Sequence, residues 1–171
     1  MDHQKLDDYV VRYLEGDSTA FDVIYEETKK SVFLSIHNII RDQSLIEDLM
    51  QETYMKAINY LEHYRIGTNF QAWISRIARN TALNFLKKRS REDILDPQEG
   101  VFLNRGFTEN RTLDFALDLL SELEREIVIY RIVLNFSFKD ISKILEIPLG
   151  TVFWNYQKAI SKIKKELDHE V

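Results

Sequence analysis

The chain has 171 residues and carries 28 acidic and 23 basic side chains, a formal net charge of −5 and no cysteine. The missing cysteine excludes disulfides, a thiol nucleophile and cysteine-bound zinc, and the negative charge argues against indiscriminate binding to nucleic acid. No apolar run reaches the ~20 residues that a membrane-spanning helix needs, and the acidic, amphipathic N-terminus is unlike a signal peptide. We therefore expect a cytoplasmic protein without membrane insertion.

Only 5 glycines and 2 prolines interrupt long hydrophobic patterns of helical period, which predicts an all-α fold. The first helix covers Leu6–Leu14 and stops at Gly16, a residue typical of left-handed helix caps. A second helix covers Phe21–Ile40. A capping-box pattern at Ser44–Glu47 opens a third helix, which is predicted to run to about Tyr64.

The outer face of the third helix is acidic and has a methionine near its centre. Its members are Asp48, Gln51, Glu52 and Met55. An exposed methionine surrounded by acids is a pattern that suits a protein-docking surface. The alternative, which periodicity alone favours, is a plain solvated face.

The fourth helix, predicted over Phe70–Arg91, reverses the sign of the charge because it has six bases and no acid. Winding it at helical pitch separates an apolar face from a polar one and puts Trp73 at the border. The polar face carries Arg76, Arg79, Asn80, Asn84, Lys87 and Arg91. Cations bind phosphates and asparagine can read base edges, so this face suits nucleic acid, with a solvated basic helix as the alternative.

Helical periodicity fails over residues 92–108, where acids, Pro97, Gly100 and Gly106 cluster. This composition predicts a flexible linker. The chain is therefore expected to form two small helical domains, residues 1–91 and 109–171, joined by the flexible linker 92–108.

The second domain is predicted to contain a helix-turn-helix. A capping box at Ser121–Glu124 opens one helix, Ser137 caps a short second helix, and a turn at Glu146–Pro148 precedes a long helix from Leu149. The outer face of this long helix is predicted to carry Thr151, Trp154, Asn155, Lys158 and Lys162. In a helix docked in the major groove, the first turns reach base edges and later cations meet phosphates.

Trp154 is the unusual member of that outer face. It could lie against thymine methyl groups, bind a partner protein, or fold back onto its own domain. The sequence leaves these three alternatives open.

Four stretches in this order resemble the extracytoplasmic-function sigma factors of bacterial RNA polymerase. They are YLEGDSTAFDVIYE, IEDLMQETYMKAI, NFQAWISRIARNTALNFLKKR and FSFKDISKILEIPLGTV. The resemblance spans nearly the whole chain and implies a protein that directs core polymerase to specific promoters and initiates transcription. It implies core RNA polymerase and promoter DNA as partners, allows an anti-sigma factor, and implies no cofactor, no metal and no enzymatic activity.

The resemblance also implies roles for individual residues. Contacts to core polymerase fall on Asp48, Gln51, Glu52 and Met55. Contacts to the minus-ten element fall on Tyr64, Arg65, Asn69, Trp73, Arg76, Arg79, Asn80, Lys87 and Lys88. Contacts to the minus-thirty-five element fall on Thr151, Trp154, Asn155, Lys158 and Lys162.

The chain departs from the family at the start of its last helix. After Gly150-Thr151-Val152 the family usually has Lys or Arg, then Ser, then Arg, whereas this chain has Phe153, Trp154 and Asn155. Fewer cations therefore start the helix, and the promoter sequence read by relatives does not transfer to this chain.

Three other functional classes would show different features. An enzyme has little support, because the four histidines are scattered and no phosphate loop or catalytic triad pattern is present. A one-component regulator would use only the C-terminal helix-turn-helix and would bind duplex DNA unaided. A helical adaptor would bind only proteins and would show no salt-dependent affinity for DNA.

Overall fold

The computed structural model describes residues 3–92 and 117–169. All regular secondary structure in these two ranges is helical, which confirms the predicted all-α class. Contacts between residues divide the chain into two compact units, 1–101 and 102–171. Apart from residue 92, the predicted linker 92–108 lies outside the described residues, so its flexibility and its bounds stay predictions.

Residues 3–92 of the N-terminal unit form four α-helices and one short 3-10 turn. The helices are α1 (His3–Leu14), α2 (Ala20–His37), α3 (Gln43–Asn59) and α4 (Phe70–Glu92), with the 3-10 turn Leu61–His63 after α3. Helix α2 packs against the other three helices. The core between them contains fully buried Ile36, Ile46, Phe70 and Ile74, and burial of this apolar surface stabilises the arrangement.

Local sequence explains where these helices begin and end. Gly16 has φ +101°, which confirms its predicted left-handed conformation. The predicted capping box at Ser44–Glu47 is wrong. The carboxylate of Asp42 instead accepts the N–H groups of Ser44 at 2.9 Å and Leu45 at 3.2 Å, so the helix begins earlier. The predicted end near Tyr64 is also wrong, because the chain tightens into the 3-10 turn after Asn59.

The C-terminal unit contains the helix-turn-helix. Helix α5 (Glu122–Val128) continues into a π turn (Ile129–Val133), followed by α6 (Phe138–Leu145) and α7 (Leu149–His169). The capping box predicted at Ser121 is confirmed, with Glu124 as its other half.

Helix α6 begins at a serine cap and ends at a residue in a left-handed conformation, which forms the turn to α7. Ser137 caps the start of α6 by accepting the N–H of Asp140 at 3.1 Å. Helix α6 then ends at Glu146, which has φ +57°. The N–H of Ile147 donates to the carbonyl of Ser142 at 3.2 Å. The short α6, this tight turn and the longer α7 confirm the predicted helix-turn-helix layout.

Arg131 connects the π turn to the start of helix α6. The Arg131 guanidinium lies 4.8 Å from the ring centroid of Phe138 and donates to the carbonyl of Phe136 at 3.0 Å. Phe136 is itself buried and stacks on Tyr130 at 5.9 Å. These contacts fix the position of α6, against which α7 packs.

Candidate nucleic-acid and protein interfaces

The acidic face of α3 lies on the surface as predicted. Asp48, Gln51, Glu52 and Met55 are all exposed, and Met55 is 66% exposed. Behind them the hydroxyl groups of Tyr54 and Thr28 form a buried hydrogen bond of 2.8 Å that ties α3 to α2. The face is therefore presented by a helix whose inner side is fixed.

This face is more apolar than the sequence analysis predicted. Ile58 is 38% exposed and lies about one turn beyond Met55, and the neighbouring Tyr60 is 58% exposed. The i, i+3 spacing of Met55 and Ile58 was a usable signal for the missed Ile58. Glu52 pairs with Lys56 at 2.6 Å, and Lys56 also reaches the Thr81 hydroxyl of α4 at 3.3 Å. The surface thus combines acids with exposed apolar groups.

Helix α4 presents the predicted basic face. Arg76, Lys87 and Lys88 are exposed, whereas Arg79 and Asn80 are partly buried. The opposite side is held by the core residues Ile74, Ala78 and Ala82, all of which are fully buried. An open groove at the C-terminal end of α4 is lined by Asn84, Lys87, Lys88 and Arg91. The cations therefore face solvent, where a polyanion can reach them.

Tyr64, to which the resemblance assigns a contact with the minus-ten element, lies inside the N-terminal unit. It is only 6% exposed, and its ring is enclosed by Phe70 at 4.9 Å and Trp73 at 5.4 Å. Its hydroxyl lies 2.7 Å from a carboxylate oxygen of Asp7 and 2.7 Å from the carbonyl of Thr68, and it can donate to either. The predicted DNA contact of Tyr64 is therefore corrected to a role in holding the loop Tyr64–Asn69 from beneath.

Asp7 is the residue of this loop site that the sequence analysis missed. It is 6% exposed, and its second carboxylate oxygen accepts the N–H of Gly67 at 2.6 Å. A signal was available, because Asp7 lies three residues before Val10 and so on the buried side of an amphipathic helix. Burying a carboxylate requires hydrogen-bond donors, and the loop supplies them.

The remaining loop residues divide between structure and surface. Asn69 caps α4 by accepting the N–H of Ala72 at 3.2 Å, so its oxygen already has a structural partner. Arg65 is exposed, as is Ile66 at 46%. Trp73 is partly buried and packs on Phe70 at 5.3 Å. The loop therefore exposes one cation, Arg65, and α4 adds the partly buried ring of Trp73 near its start.

Helix α7 presents a face that is rotated from the predicted one. Thr151, Trp154 and Lys158 are exposed as predicted, but Asn155 is only 8% exposed and donates to the carbonyl of Thr151 at 2.8 Å. The predicted outward position of Asn155 is therefore wrong, because the residue lies on the packed side with Val152. The exposed residues that were missed are Phe153, Gln157 and Lys164, whereas Lys165 is exposed as its place on the outward side predicts.

Lys162 is also placed differently from the prediction, because it binds a buried carboxylate. Its ammonium lies 2.6 Å from Glu124, whose side chain is 1% exposed, and Lys158 approaches the other oxygen at 3.4 Å. The N–H of Ser121 donates to the same carboxylate at 2.9 Å. Lys162 therefore ties α7 to the start of α5, with 38% of its side chain exposed compared with 48% for Lys158.

The environment of Glu124 shifts its acidity. Burial alone would raise the pKa of this carboxyl, but the Lys162 ammonium, the Ser121 N–H and Lys158 outweigh that effect, and the pKa lies below its usual value. A carboxyl with a lowered pKa in the folded state stabilises the fold above its unfolded pKa. That contribution is lost as the pH falls through the folded pKa.

We expect acid to weaken the C-terminal unit through this carboxyl. The stability contributed by Glu124 should be complete above the usual pKa of 4.5 and should fall at lower pH. Glu124→Gln should lower the free energy of unfolding at neutral pH by about 1–2 kcal/mol, because the amide pairs less strongly with the lysines, and should flatten the acid dependence. Urea unfolding of full-length Trp73→Phe protein, in which Trp154 is the only tryptophan, measures both effects through selectively excited tryptophan fluorescence. If the protein lost the same stability in acid with and without Glu124→Gln, this role of Glu124 would be contradicted.

The described residues lack a metal-binding cluster and a membrane-spanning helix. Within residues 3–92 and 117–169, no three His, Asp or Glu side chains gather where a metal ion could be held. None of the helices in the same ranges combines the length and the apolar character needed to cross a bilayer.

Comparison with known proteins gives a consistent result for both units. Residues 24–92 match the family model of Sigma-70 region 2, and residues 110–163 match that of Sigma-70, region 4. RNA polymerase sigma factor CarQ of Myxococcus xanthus is 28% identical over 170 residues, which cover 94% of this chain and 98% of the relative. ECF RNA polymerase sigma factor EcfG of Rhodopseudomonas palustris is 31% identical over 126 residues, which cover 68% of each chain.

Solved structures show the same similarity. The sigma factor RpoE of Bartonella quintana, in complex with the anti-sigma factor NepR, is 25% identical and superposes with a TM-score of 0.69, covering 86% of this chain and 96% of that one. CnrH, in complex with the cytosolic domain of CnrY, is 16% identical with a TM-score of 0.66, which shows a shared fold.

Proposed function

Since the chain belongs to the extracytoplasmic-function sigma factors, which direct core RNA polymerase to promoters and initiate transcription, we propose a division of this work among three of its surfaces. The acidic face of α3 docks on core polymerase. The basic face of α4, with the loop Tyr64–Asn69, opens and holds the minus-ten element. The outer face of α7 binds the minus-thirty-five element.

The observation that carries this proposal is that two exposed helix faces of opposite charge belong to helices of the same core. The exposed acids Asp48 and Glu52 lie on α3, and the exposed cations Arg76 and Lys87 lie on α4. Helices α3 and α4 pack against each other. An acidic surface repels DNA and suits a cationic protein partner, whereas the basic one attracts phosphates. One unit can therefore hold polymerase and DNA at the same time.

Strand opening on this surface needs no catalytic group. It needs a surface that binds unstacked bases and single-strand backbone more tightly than it binds duplex. The partly buried Trp73 lies three residues before exposed Arg76 on α4 and packs on Tyr64, which exposed Arg65 follows in sequence. These residues offer a ring and two cations of the kind that bind such a strand. The buried contacts of Asp7 with Tyr64 and Gly67 support the loop that carries Arg65.

The same family membership supports two further proposals. The protein acts in the cytoplasm, where polymerase and genome are located. It also has an anti-sigma partner, as the compared RpoE does, and such a partner would block the surfaces that bind polymerase or DNA.

Run-off transcription by core polymerase with and without this protein tests the proposed function. We expect initiation at discrete sites only when the protein is added. The absence of protein-dependent initiation across a whole library of genomic fragments would contradict it. Tight binding of the protein alone to duplex DNA would favour a one-component regulator instead.

For the upstream contact, we expect Lys158→Ala to reduce the dependence of holoenzyme–promoter affinity on salt. One lost phosphate contact should lower the slope of log affinity against log salt by about one unit. The fold should survive, because Lys162 remains to neutralise Glu124. Lys30→Ala is the matched control, since it removes an exposed lysine from α2. An unchanged slope in Lys158→Ala would remove Lys158 from the DNA site.

A further inference from the structure

The start of α7 exposes an unusual amount of apolar surface. Leu149 is 50% exposed, Phe153 49% and Trp154 61%. Large apolar side chains gathered on an exposed surface mark a binding site more often than scattered single ones do. The 61% exposure of Trp154 also decides one of the alternatives left open by the sequence, because the indole does not fold back into its own domain.

Both rings are held in place rather than free to collapse. Phe153 packs edge-on against Phe138 of α6 at 5.6 Å. The Lys158 ammonium lies 5.1 Å from the centroid of the Trp154 ring, and the same ammonium approaches buried Glu124 at 3.4 Å. A rigid aromatic side chain loses little conformational freedom on binding.

The surroundings of Trp154 indicate what its partner must carry. No acid lies between Glu146 and Glu166, whereas Lys158, Lys164 and Lys165 are exposed along the same helix. Gly150, one turn before Trp154, has nothing within 4 Å of the position that a Cβ would take. A partner can therefore approach the backbone closely at Gly150. Because the helix exposes lysines and apolar rings together, the partner should combine negative charge with an apolar group.

Duplex DNA offers this combination in its major groove, where the thymine methyl group lies between two phosphate backbones. Resting on the proposed function, in which α7 enters that groove, we propose that Trp154, backed by Phe153, contacts thymine 5-methyl groups of the upstream promoter element. The chain would then select thymine at positions where an arginine or lysine at the helix start would select guanine.

Deoxyuridine substitution tests this proposal, since deoxyuridine lacks only the methyl group of thymine. An upstream element is first selected with wild-type holoenzyme, and each thymine in it is then replaced singly. We expect at least one replacement to weaken holoenzyme binding about fourfold, the factor expected for one methyl-sized apolar group. Trp154→Ala should bind the thymine and uracil duplexes equally, and Trp154→Phe should keep part of the difference.

Lys139→Ala is the matched control, because it removes an exposed lysine of α6 and should keep the discrimination between thymine and uracil. Equal binding of every uracil duplex by the wild type would overturn the proposal. It would also be overturned if Trp154→Ala still bound the thymine duplex more tightly than the uracil duplexes. The same conclusion would follow if Trp154→Ala bound the promoter as the wild type does and lost only the binding of an acidic protein partner. Scrambling the whole upstream element separates the two levels of inference. Unchanged affinity would refute groove binding by α7, whereas weaker binding without any uracil effect would refute the methyl contact alone.

Discussion

Asp48→Arg is expected to lower the affinity of the protein for core polymerase by at least about thirtyfold, because reversing a charge in a complementary interface costs about 2–4 kcal/mol. Asp48 is exposed on α3, on the face that also carries Glu52 and Met55. The change removes no buried contact, so the folded structure should be retained. Equilibrium binding to labelled core polymerase measures the loss.

Asp8→Arg is the matched control for this prediction. Asp8 is an exposed acid of the same unit, but it lies on α1, so the same change of net charge occurs away from the proposed interface. We expect it to bind core polymerase almost as well as the wild type. Equal losses in the two variants would show that net charge, and not the α3 face, determines docking.

Asp7→Ala is expected to impair strand opening by about tenfold or more while leaving affinity for core polymerase nearly unchanged. The substitution leaves the Gly67 N–H without its acceptor, which costs about 1–3 kcal/mol, whereas the Tyr64 hydroxyl can still donate to the Thr68 carbonyl. The loop should then no longer keep Arg65 and its neighbours in position. Formation of open complexes on a linear duplex promoter measures the defect.

Templates and variants separate this positioning role from simple unfolding. A promoter already unpaired at the minus-ten element does not require strand separation, so the defect of Asp7→Ala should shrink on it. Asp7→Asn should keep most of the activity because it retains an acceptor oxygen, and Asp8→Ala should behave as wild type. A defect of the same size on unpaired and duplex templates would argue against a role in opening.

Helical periodicity was sufficient to predict most of the fold. The hydrophobic repeat predicts α2 and α4 because one face of each packs on a single core, and the Ser121 capping box depends on residues only three positions apart. The exposed face of α3 followed for the same reason. Properties set by neighbours in sequence could therefore be predicted.

Two of the errors at the candidate sites concern contacts between residues that are distant in sequence. The resemblance implied a DNA contact for Tyr64, but its acceptor Asp7 lies 57 residues earlier. Lys162 seemed to point outward, but it binds Glu124 on another helix 38 residues away. Asn155 was misplaced because the packing of α7, which periodicity alone does not define, sets its rotation. These three positions required the tertiary structure.

The most direct test of the central claim, that polymerase docking and strand opening reside on opposite-charge faces of one unit, compares two variants in two assays. The variants are Asp48→Arg and the double substitution of Arg76 and Arg79 with alanine. The assays are affinity for core polymerase and reactivity of unpaired thymines with permanganate at a promoter.

We predict that Asp48→Arg loses affinity for polymerase but opens DNA normally once polymerase is saturated with it. The double arginine variant should bind polymerase as tightly as the wild type and leave the promoter closed. If each variant lost both activities to the same extent, the two faces would not have separate functions, and this account would be wrong.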